Sequence, residues 1–190
     1  MSYGDYRPSK GELDDSWLPD GLLAEPSPHS GERPAAVLVP IYPDGDDYRL
    51  VLIRRPLHMP THGGDIAFPG GKPKVGEGPI ETALREAYEE VGIAPSGVVV
   101  LGFLPSVDTV TFPRPVVPVV GRLAGVPDLR PDPNEVDRIH TPRIQTLMDE
   151  SRWRTQPWKG YEIFLFDLDG DVLWGATARM VRRLIGLEEF

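Results

Sequence analysis

Four glutamates and one arginine crowd the stretch from Glu81 to Glu90. Glu86, Glu89 and Glu90 are three and four residues apart, so a helix would place them around one side. Like charges at this spacing cost roughly a few tenths of a kcal/mol per pair in an isolated helix. Carboxylate oxygens bind hard divalent cations, and Mg²⁺ combines one or two carboxylates with water and substrate phosphates. The pattern indicates either a magnesium site or a solvated acidic helix face with Arg85 as a local ion-pair partner.

The segment directly upstream of these acids favours the metal site. Residues 68–77 read Phe-Pro-Gly-Gly-Lys-Pro-Lys-Val-Gly-Glu, a constrained loop that leads into the expected helix. Backbone groups in such a loop can approach a metal ion or a phosphate closely, because glycine has no Cβ. Gly70 and Lys72 are therefore candidate substrate contacts.

Together these residues resemble the Nudix box. The box reads Gly, five residues, Glu, seven residues, Arg-Glu, an aliphatic residue, any residue, Glu-Glu, any residue, Gly and an aliphatic residue. Every spacing is met, and only Ala87 is small for its position. The matching residues are Gly71, Glu77, Arg85, Glu86, Ala87, Glu89, Glu90, Gly92 and Ile93.

The resemblance implies roles for several of these residues. Glu86 and Glu90 would be the main metal ligands, with Glu89 a further ligand or a base. Arg85 and Glu77 would form an ion pair that orients the glutamates, and the Gly71 carbonyl could also contact a metal. Bound Mg²⁺ or Mn²⁺ would neutralise a diphosphate and lower the pKa of an attacking water. The implied reaction is hydrolysis of the diphosphate bond of a nucleoside diphosphate derivative.

A second resemblance, just ahead of the box, is to the coenzyme A diphosphatase branch of that family. The branch shows Leu-Leu-Thr-x-Arg-Ser, three residues, Arg, three residues, Gly, three residues and Phe-Pro-Gly-Gly. The chain supplies Leu52, Arg55, Gly64 and the run 68–71, but Pro60 stands where the second arginine is expected. The stretch 174–178, Trp-Gly-Ala-Thr-Ala, resembles a segment near the end of the same branch. The implied reaction is cleavage of coenzyme A or an acyl-coenzyme A to 3′,5′-ADP and a phosphopantetheine product.

Further polar residues are expected near the substrate. Arg54 and Arg55 are candidate phosphate contacts. His58 and His62 are weaker, pH-dependent cations that could replace the missing arginine or simply decorate a loop. Glu135 lies where many Nudix enzymes place an additional acid, and it is either a base or supporting residue, or part of an exposed acidic turn.

Aromatic residues could recognise an adenine ring. Phe103, Phe112 and Trp158 are candidates, although each could equally be a packing residue.

The elements around these residues predict an α/β fold, a Nudix-type α/β/α sandwich with a mixed central sheet, rather than a Rossmann-like fold. Residues 79–91 should form a helix, with Pro79 in its first turn and Gly92 at its exit. Strands are predicted at 35–42, 48–54, 98–104, 116–123 and 163–168, with further helices at 144–150 and 176–187.

The first 34 residues are predicted to be an irregular arm ahead of a Nudix hydrolase domain at 35–190. The arm is rich in Pro, Gly, Ser and acidic residues. Its apolar island, formed by Trp17, Leu18, Leu22 and Leu23, could dock on the domain or on a second subunit. The alternative is a loosely attached tail.

Charge and composition exclude several kinds of function. The formal net charge is -9, which disfavours broad binding to nucleic acid. The absence of cysteine excludes disulfides, thiolate zinc sites and cysteine nucleophiles. No secretory signal or membrane span is recognisable, so we expect a cytoplasmic protein that binds no membrane. The partner implied is a small nucleotide, and the family resemblance alone suggests a homodimer.

Three alternative functions remain open from the sequence, one of them an isomerase of the same fold, although the absence of cysteine argues against the isopentenyl diphosphate isomerase type. The same hydrolytic chemistry could act on ADP-ribose, NADH or another nucleoside diphosphate derivative. A non-catalytic Nudix-fold regulatory module is the alternative of another class, but such modules are expected to lose the metal-site glutamates that this chain retains.

Overall fold

A computed structural model describes residues 18–19, 21–28, 33–108 and 115–188. Trp17 and Phe112, which were singled out from the sequence, lie outside the described residues. The strands are β1 (Ala35–Asp44), β2 (Asp47–Leu50), β3 (Leu52–Arg54), β4 (Ile66–Ala67), β5 (Gly70–Gly71), β6 (Val98–Phe103), β7 (Val116–Leu123), β8 (Arg138–His140), β9 (Trp153–Trp158), β10 (Tyr161–Leu168) and β11 (Asp171–Trp174); the α-helices are α1 (Pro79–Val91), α2 (Ile144–Met148) and α3 (Gly175–Leu184). Single 3₁₀ turns occupy Pro95–Gly97 and Glu150–Arg152.

The central sheet is mixed. Its strand order is β2-β1-β7-β6, and β5 also pairs with β1. Strands β1 and β7 run parallel, whereas the other pairs in this sheet are antiparallel. Two three-stranded sheets accompany it, in the orders β11-β10-β9 and β4-β3-β8.

Strand β1 is the centre of the molecule because both of its faces are buried. Ala36 and Leu38 face one core cluster, and Val39 and Ile41 face the other. Since side chains alternate across a strand, an apolar run of this length is expected only where both faces are covered.

Helices lie on both sides of the central sheet. Helix α1 packs Ala83, Ala87 and Val91 into the cluster that contains Leu38. Helices α2 and α3, with strand β10, pack into the other cluster. The predicted α/β sandwich is therefore confirmed.

Two sequence predictions of elements need correction. The run 48–54 was predicted as one strand, but it divides at Val51 between β2 of the central sheet and β3 of a second sheet. The chain turns there because Leu50 pairs with Ile41 of β1, whereas Leu52 pairs with His140 of β8. The last helix begins at Gly175 and ends at Leu184, three residues earlier than predicted.

The described part of the N-terminal arm docks on the edge of the central sheet. Leu23 and Phe103 exchange two backbone hydrogen bonds of 2.8 and 2.9 Å. Gly102 permits this approach, because a Cβ there would lie 2.9 Å from the Leu23 carbonyl oxygen. These contacts favour a docked arm over a loose tail.

Among the described residues, the helices are all too short or too polar to cross a membrane.

Candidate active site

Helix α1 begins and ends where the sequence predicted. Its N-terminal boundary is set by Pro79, and the Gly78 N–H donates to Glu81 Oε2 at 3.0 Å. Gly92 ends the helix in the left-handed conformation with a φ of 78°, a conformation that glycine adopts readily. These two boundaries fix which side chains of the helix face the sheet.

Glu90 lies on the buried face of α1, seven residues after Ala83. Its side chain is only 1% exposed, and Oε2 accepts a 2.9 Å hydrogen bond from the Gly70 N–H. Burial, together with the nearby charges of Glu86 and Glu135, raises the pKa of Glu90 to about 8. A carboxyl group in this position binds a proton or a cation readily, because either one relieves the cost of burying its charge.

Glu86, Glu90 and Glu135 form a group of three carboxylates, which we call the acidic triad. One oxygen from each lies within 4.8 Å of the other two. A loop carries Glu135 to the helix: the Asp132 N–H donates to the Glu90 carbonyl at 2.9 Å, and the Val136 N–H then donates to the Asp132 carbonyl. Carboxylate oxygens grouped in this way suit a hard divalent cation such as Mg²⁺ or Mn²⁺.

Arg85 holds a second group of acids beside the triad. Its Nε and Nη2 donate to the two oxygens of Glu77 at 2.6 and 2.9 Å, and its Nη1 donates to Glu86 Oε1 at 2.8 Å. Nη2 also reaches the Lys72 carbonyl at 3.1 Å. Arg85 thus ties the loop before the helix to one member of the triad.

Glu77 is the anchor of this arrangement. Besides Arg85, it accepts hydrogen bonds from the Lys74 N–H at 2.8 Å and from Thr82 Oγ1 at 3.2 Å. The bond from Arg85, followed by that from Lys74, lowers the pKa of Glu77 to about 2. Glu77 in turn raises the pKa of Arg85, so both groups remain charged throughout the physiological range.

Glu89 lies outside the triad. Its two oxygens pair with Lys74 Nζ at 3.0 Å and with Arg85 Nη1 at 2.9 Å, and its side chain is 46% exposed. Lys74 and Arg85 lower the pKa of Glu89. The structure therefore separates Glu89 from Glu86 and Glu90, with which the sequence had grouped it.

Gly70 and Gly71 bring the loop backbone close to the triad. They form β5 and pair with Val37 and Ala36 of β1. A Cβ on Gly70 would lie 2.4 Å from the Ala36 carbonyl oxygen, and one on Gly71 would lie 2.6 Å from Glu86 Oε1. Glycine is therefore required at position 70 by close approach to the β1 backbone, whereas a Cβ at position 71 would have to displace the Glu86 carboxylate.

The two candidate phosphate-binding arginines have different surroundings. Arg54 donates to Asp137 and, through Nη1 at 2.7 Å, to Asp171, so its guanidinium is already paired with carboxylates. Arg55 donates to Met59 Sδ at 3.1 Å, but its buried Nε has no hydrogen-bond partner among the described residues. Its positive charge also lowers the pKa of Glu90.

The remaining candidates are distributed more widely. His62 Nδ1 contacts Asp65 Oδ2 at 2.8 Å, whereas His58 is exposed. Phe103 is buried in the core, and its backbone pairs with Leu23 of the N-terminal arm. Trp158 packs edge-on against Trp174 with ring centroids 5.8 Å apart.

Sequence reasoning missed the partners of Arg54. Asp137 stands two residues after Glu135, but only the pairing of β3 with β8 brings it to Arg54. Asp171 reaches the same guanidinium from β11 and also contacts His140 Nε2 at 2.9 Å. No local spacing pattern relates positions 54, 137 and 171.

Comparison with known proteins gives concordant results. The profile of the NUDIX domain matches residues 32–162. The uncharacterized Nudix hydrolase NudL of Pectobacterium atrosepticum is 37% identical over 162 residues, which cover 80% of this chain and 81% of the relative.

Among solved structures, a MutT/nudix family protein from Enterococcus faecalis has a TM-score of 0.55 at 20% identity, and the match covers 84% of this chain and 63% of that one. The Nudix hydrolase RenU of M. smegmatis has a TM-score of 0.53 at 22% identity and covers 69% and 84%. At these identities the structural likeness concerns the fold alone.

Proposed function

The chain belongs to the Nudix family and is a Nudix hydrolase, and we propose that it cleaves the diphosphate bond of coenzyme A or an acyl-coenzyme A. The products would be 3′,5′-ADP and phosphopantetheine or its acyl derivative. The observation that carries the hydrolytic assignment is the acidic triad, whose oxygens converge within 4.8 Å beside the Gly70–Gly71 backbone.

The triad is the proposed metal centre. Nudix hydrolases generally use divalent metal ions, and the oxygen donors of Glu86, Glu90 and Glu135 fit Mg²⁺ or Mn²⁺. When bound, the metal supplies charge neutralisation for the diphosphate and a lowered pKa for the attacking water. Burial of Glu90 favours this role, because a cation relieves the desolvation that otherwise keeps a proton on that carboxyl.

The other residues would orient the substrate and the triad. Arg85, fixed by Glu77, holds Glu86 in place through its Nη1. Arg55, whose positive charge acts on Glu90, would bind a phosphate oxygen through its guanidinium group. Arg54, paired with Asp137 and Asp171, would instead position the loop that carries Glu135.

The substrate class rests on the run from Leu50 to Gly71. The run ends in the intact sequence Phe68-Pro69-Gly70-Gly71. Phe68 is buried in the core, and the Gly70 N–H donates to Glu90. The Trp174 segment resembling the same branch contacts this run, since Trp174 Nε1 donates to Asp65 Oδ1 at 3.3 Å. Pro60 is the departure from the pattern, and it lies on an exposed turn.

A substrate panel tests the proposal. The purified protein would be incubated with millimolar MgCl₂ or MnCl₂ and coenzyme A, acetyl-coenzyme A, ADP-ribose, NADH, diadenosine polyphosphates or nucleoside triphosphates, with products identified by mass. We expect metal-dependent release of 3′,5′-ADP from coenzyme A or acetyl-coenzyme A. Cleavage of other substrates alone would overturn the coenzyme A assignment and retain the triad mechanism. No turnover of any substrate would favour a regulatory module.

A further inference from the structure

A second polar cleft, lined by residues other than the acidic triad, lies between the β8 segment and the end of β10. Its volume is about 500 Å³, and none of its lining residues belongs to the triad. Four arginines line it, against two aspartates: Arg49, Arg138, Arg143, Arg152, Asp167 and Asp169. The lining arginines outnumber the lining aspartates, and three of them pair with further aspartates, Asp44, Asp46 and Asp171, outside the lining.

Three of the four arginines have carboxylate partners, but two of these pairs are loose. Arg138 contacts Asp171 at 3.2 Å with its own side chain 51% exposed. Arg143 contacts Asp46 at 3.4 Å, and both side chains are largely exposed. Exposed single-contact pairs contribute little stability, so an incoming anion can replace the aspartate at small cost.

Arg152 and Arg49 complete the basic lining in different ways. Arg152 is exposed, lies over the Phe166 ring at 5.3 Å, and has no ion pair among the described residues. Arg49 is held firmly, donating to Asp44 Oδ2 at 2.5 Å and to the Thr141 carbonyl at 2.6 Å. The cleft thus combines one firmly held arginine, two in loose ion pairs and one, Arg152, with no ion pair among the described residues.

We propose that this cleft binds a phosphorylated small molecule with at least two adjacent anionic groups, at a site distinct from the acidic triad. Guanidinium groups bind phosphate oxygens through charge-assisted, often bidentate hydrogen bonds. The volume falls in the range of small-molecule sites, roughly 300–1,000 Å³. Arg143 and Arg152 provide the principal contacts.

Binding of inorganic pyrophosphate to the full chain tests this assignment. Isothermal titration in metal-free buffer with EDTA removes the metal-dependent contribution of the triad. We expect saturable binding that the double substitution R143Q/R152Q weakens by about tenfold or more, through loss of two charged hydrogen-bond donors. The matched control is R154Q, because Arg154 is an exposed arginine on β9 that does not line the cleft.

Three results would overturn the proposal. The first is an absence of saturable binding to the wild-type chain. The second is equal weakening by R154Q, which would indicate non-specific charge attraction. The third is binding that R55Q removes and R143Q/R152Q leaves intact, which would place the pyrophosphate at the triad. Since no turnover is measured, each of these results leaves the proposed hydrolysis untouched.

Discussion

Glu77 and Glu90 belong to the same loop-helix segment, yet they lie in opposite electrostatic surroundings. Glu77 accepts hydrogen bonds from Arg85, Lys74 and Thr82, and its pKa is lowered to about 2. Glu90 is buried beside Glu86 and Glu135, and its pKa is raised to about 8. The first carboxylate is already paired with Arg85, whereas the second has no ion-pair partner among the described residues. The difference separates a structural acid from a proposed metal ligand more clearly than the sequence spacing does.

The largest expected effect is that of E90Q. Glutamine retains an oxygen for the Gly70 N–H but removes the charge that would hold the metal. We expect kcat for the best substrate to fall at least about 10³-fold, because a catalytic metal contributes several kcal/mol to the barrier. Steady-state kinetics at saturating Mg²⁺ would measure this. The matched control is E162Q, because Glu162 is an exposed residue of β10. Equal activity in both variants would remove Glu90 from the proposed mechanism.

The next largest effect is expected from E77Q, which removes the charge of Glu77 and weakens its ion pair with Arg85. Arg85 would lose its bidentate partner and hold Glu86 less firmly. We expect activity or metal affinity to fall about 10–100-fold, as for other residues that orient metal ligands. Kinetics across a Mg²⁺ titration would distinguish the two losses. If both quantities stayed at wild-type values, Arg85 would not need Glu77 to orient the triad.

A smaller effect is expected from G71A. The added Cβ would lie 2.6 Å from Glu86 Oε1 and push that carboxylate away from the triad. We expect Mg²⁺ affinity to fall about tenfold, at the lower end of losses from disturbed ligand orientation. G97A is the matched control, because a Cβ at Gly97 meets no atom within 4 Å. Equal calorimetric affinities in the two variants would argue against close packing of Gly71 on Glu86.

The smallest effect is expected from E89Q. Its ion pairs with Lys74 and Arg85 involve a side chain that is 46% exposed, and exposed pairs contribute about 0–1 kcal/mol. Mg²⁺ affinity should therefore change less than about fivefold. If E89Q lowered Mg²⁺ affinity as much as E90Q does, Glu89 would have to be assigned to the metal centre together with Glu90.

The sequence predicted the elements whose boundaries are local. Pro79 and Gly92 delimit α1 through their own backbone preferences, and the apolar run 116–123 is the observed β7. Strand β5, by contrast, consists of two glycines that pair with β1 only because the loop folds back on it. No periodicity can reveal a strand of that length.

Within the candidate site, long-range contacts were the part that the sequence could not supply. Arg54 was predicted to contact substrate, but its partners at positions 137 and 171 are brought to it by β8 and β11. The grouping of Glu135 with Glu86 depends on the loop that caps the end of α1. The spacing predicted which acidic residues share a helix, and tertiary contacts determined which of them form ion pairs with Arg85 or Lys74.

The raised pKa of Glu90 has a consequence for stability. In the metal-free protein, the folded state retains a proton on Glu90 that the unfolded chain loses above its ordinary pKa of 4.5. The folded state therefore binds more protons than the unfolded state between pH of about 4.5 and about 8, so this group makes stability decrease as pH rises through that window. Mg²⁺ binding at the proposed metal centre would displace the same proton.

Proton release during Mg²⁺ binding is accordingly the most direct test of the acidic triad as the metal centre. Calorimetric titrations at about pH 6.5, in two buffers of different ionisation enthalpy, report the number of protons released. We predict release of about one proton from the wild-type protein, and weaker binding without that proton in E90Q. Mg²⁺ binding of equal affinity in both proteins, with no proton released by the wild type, would contradict the assignment.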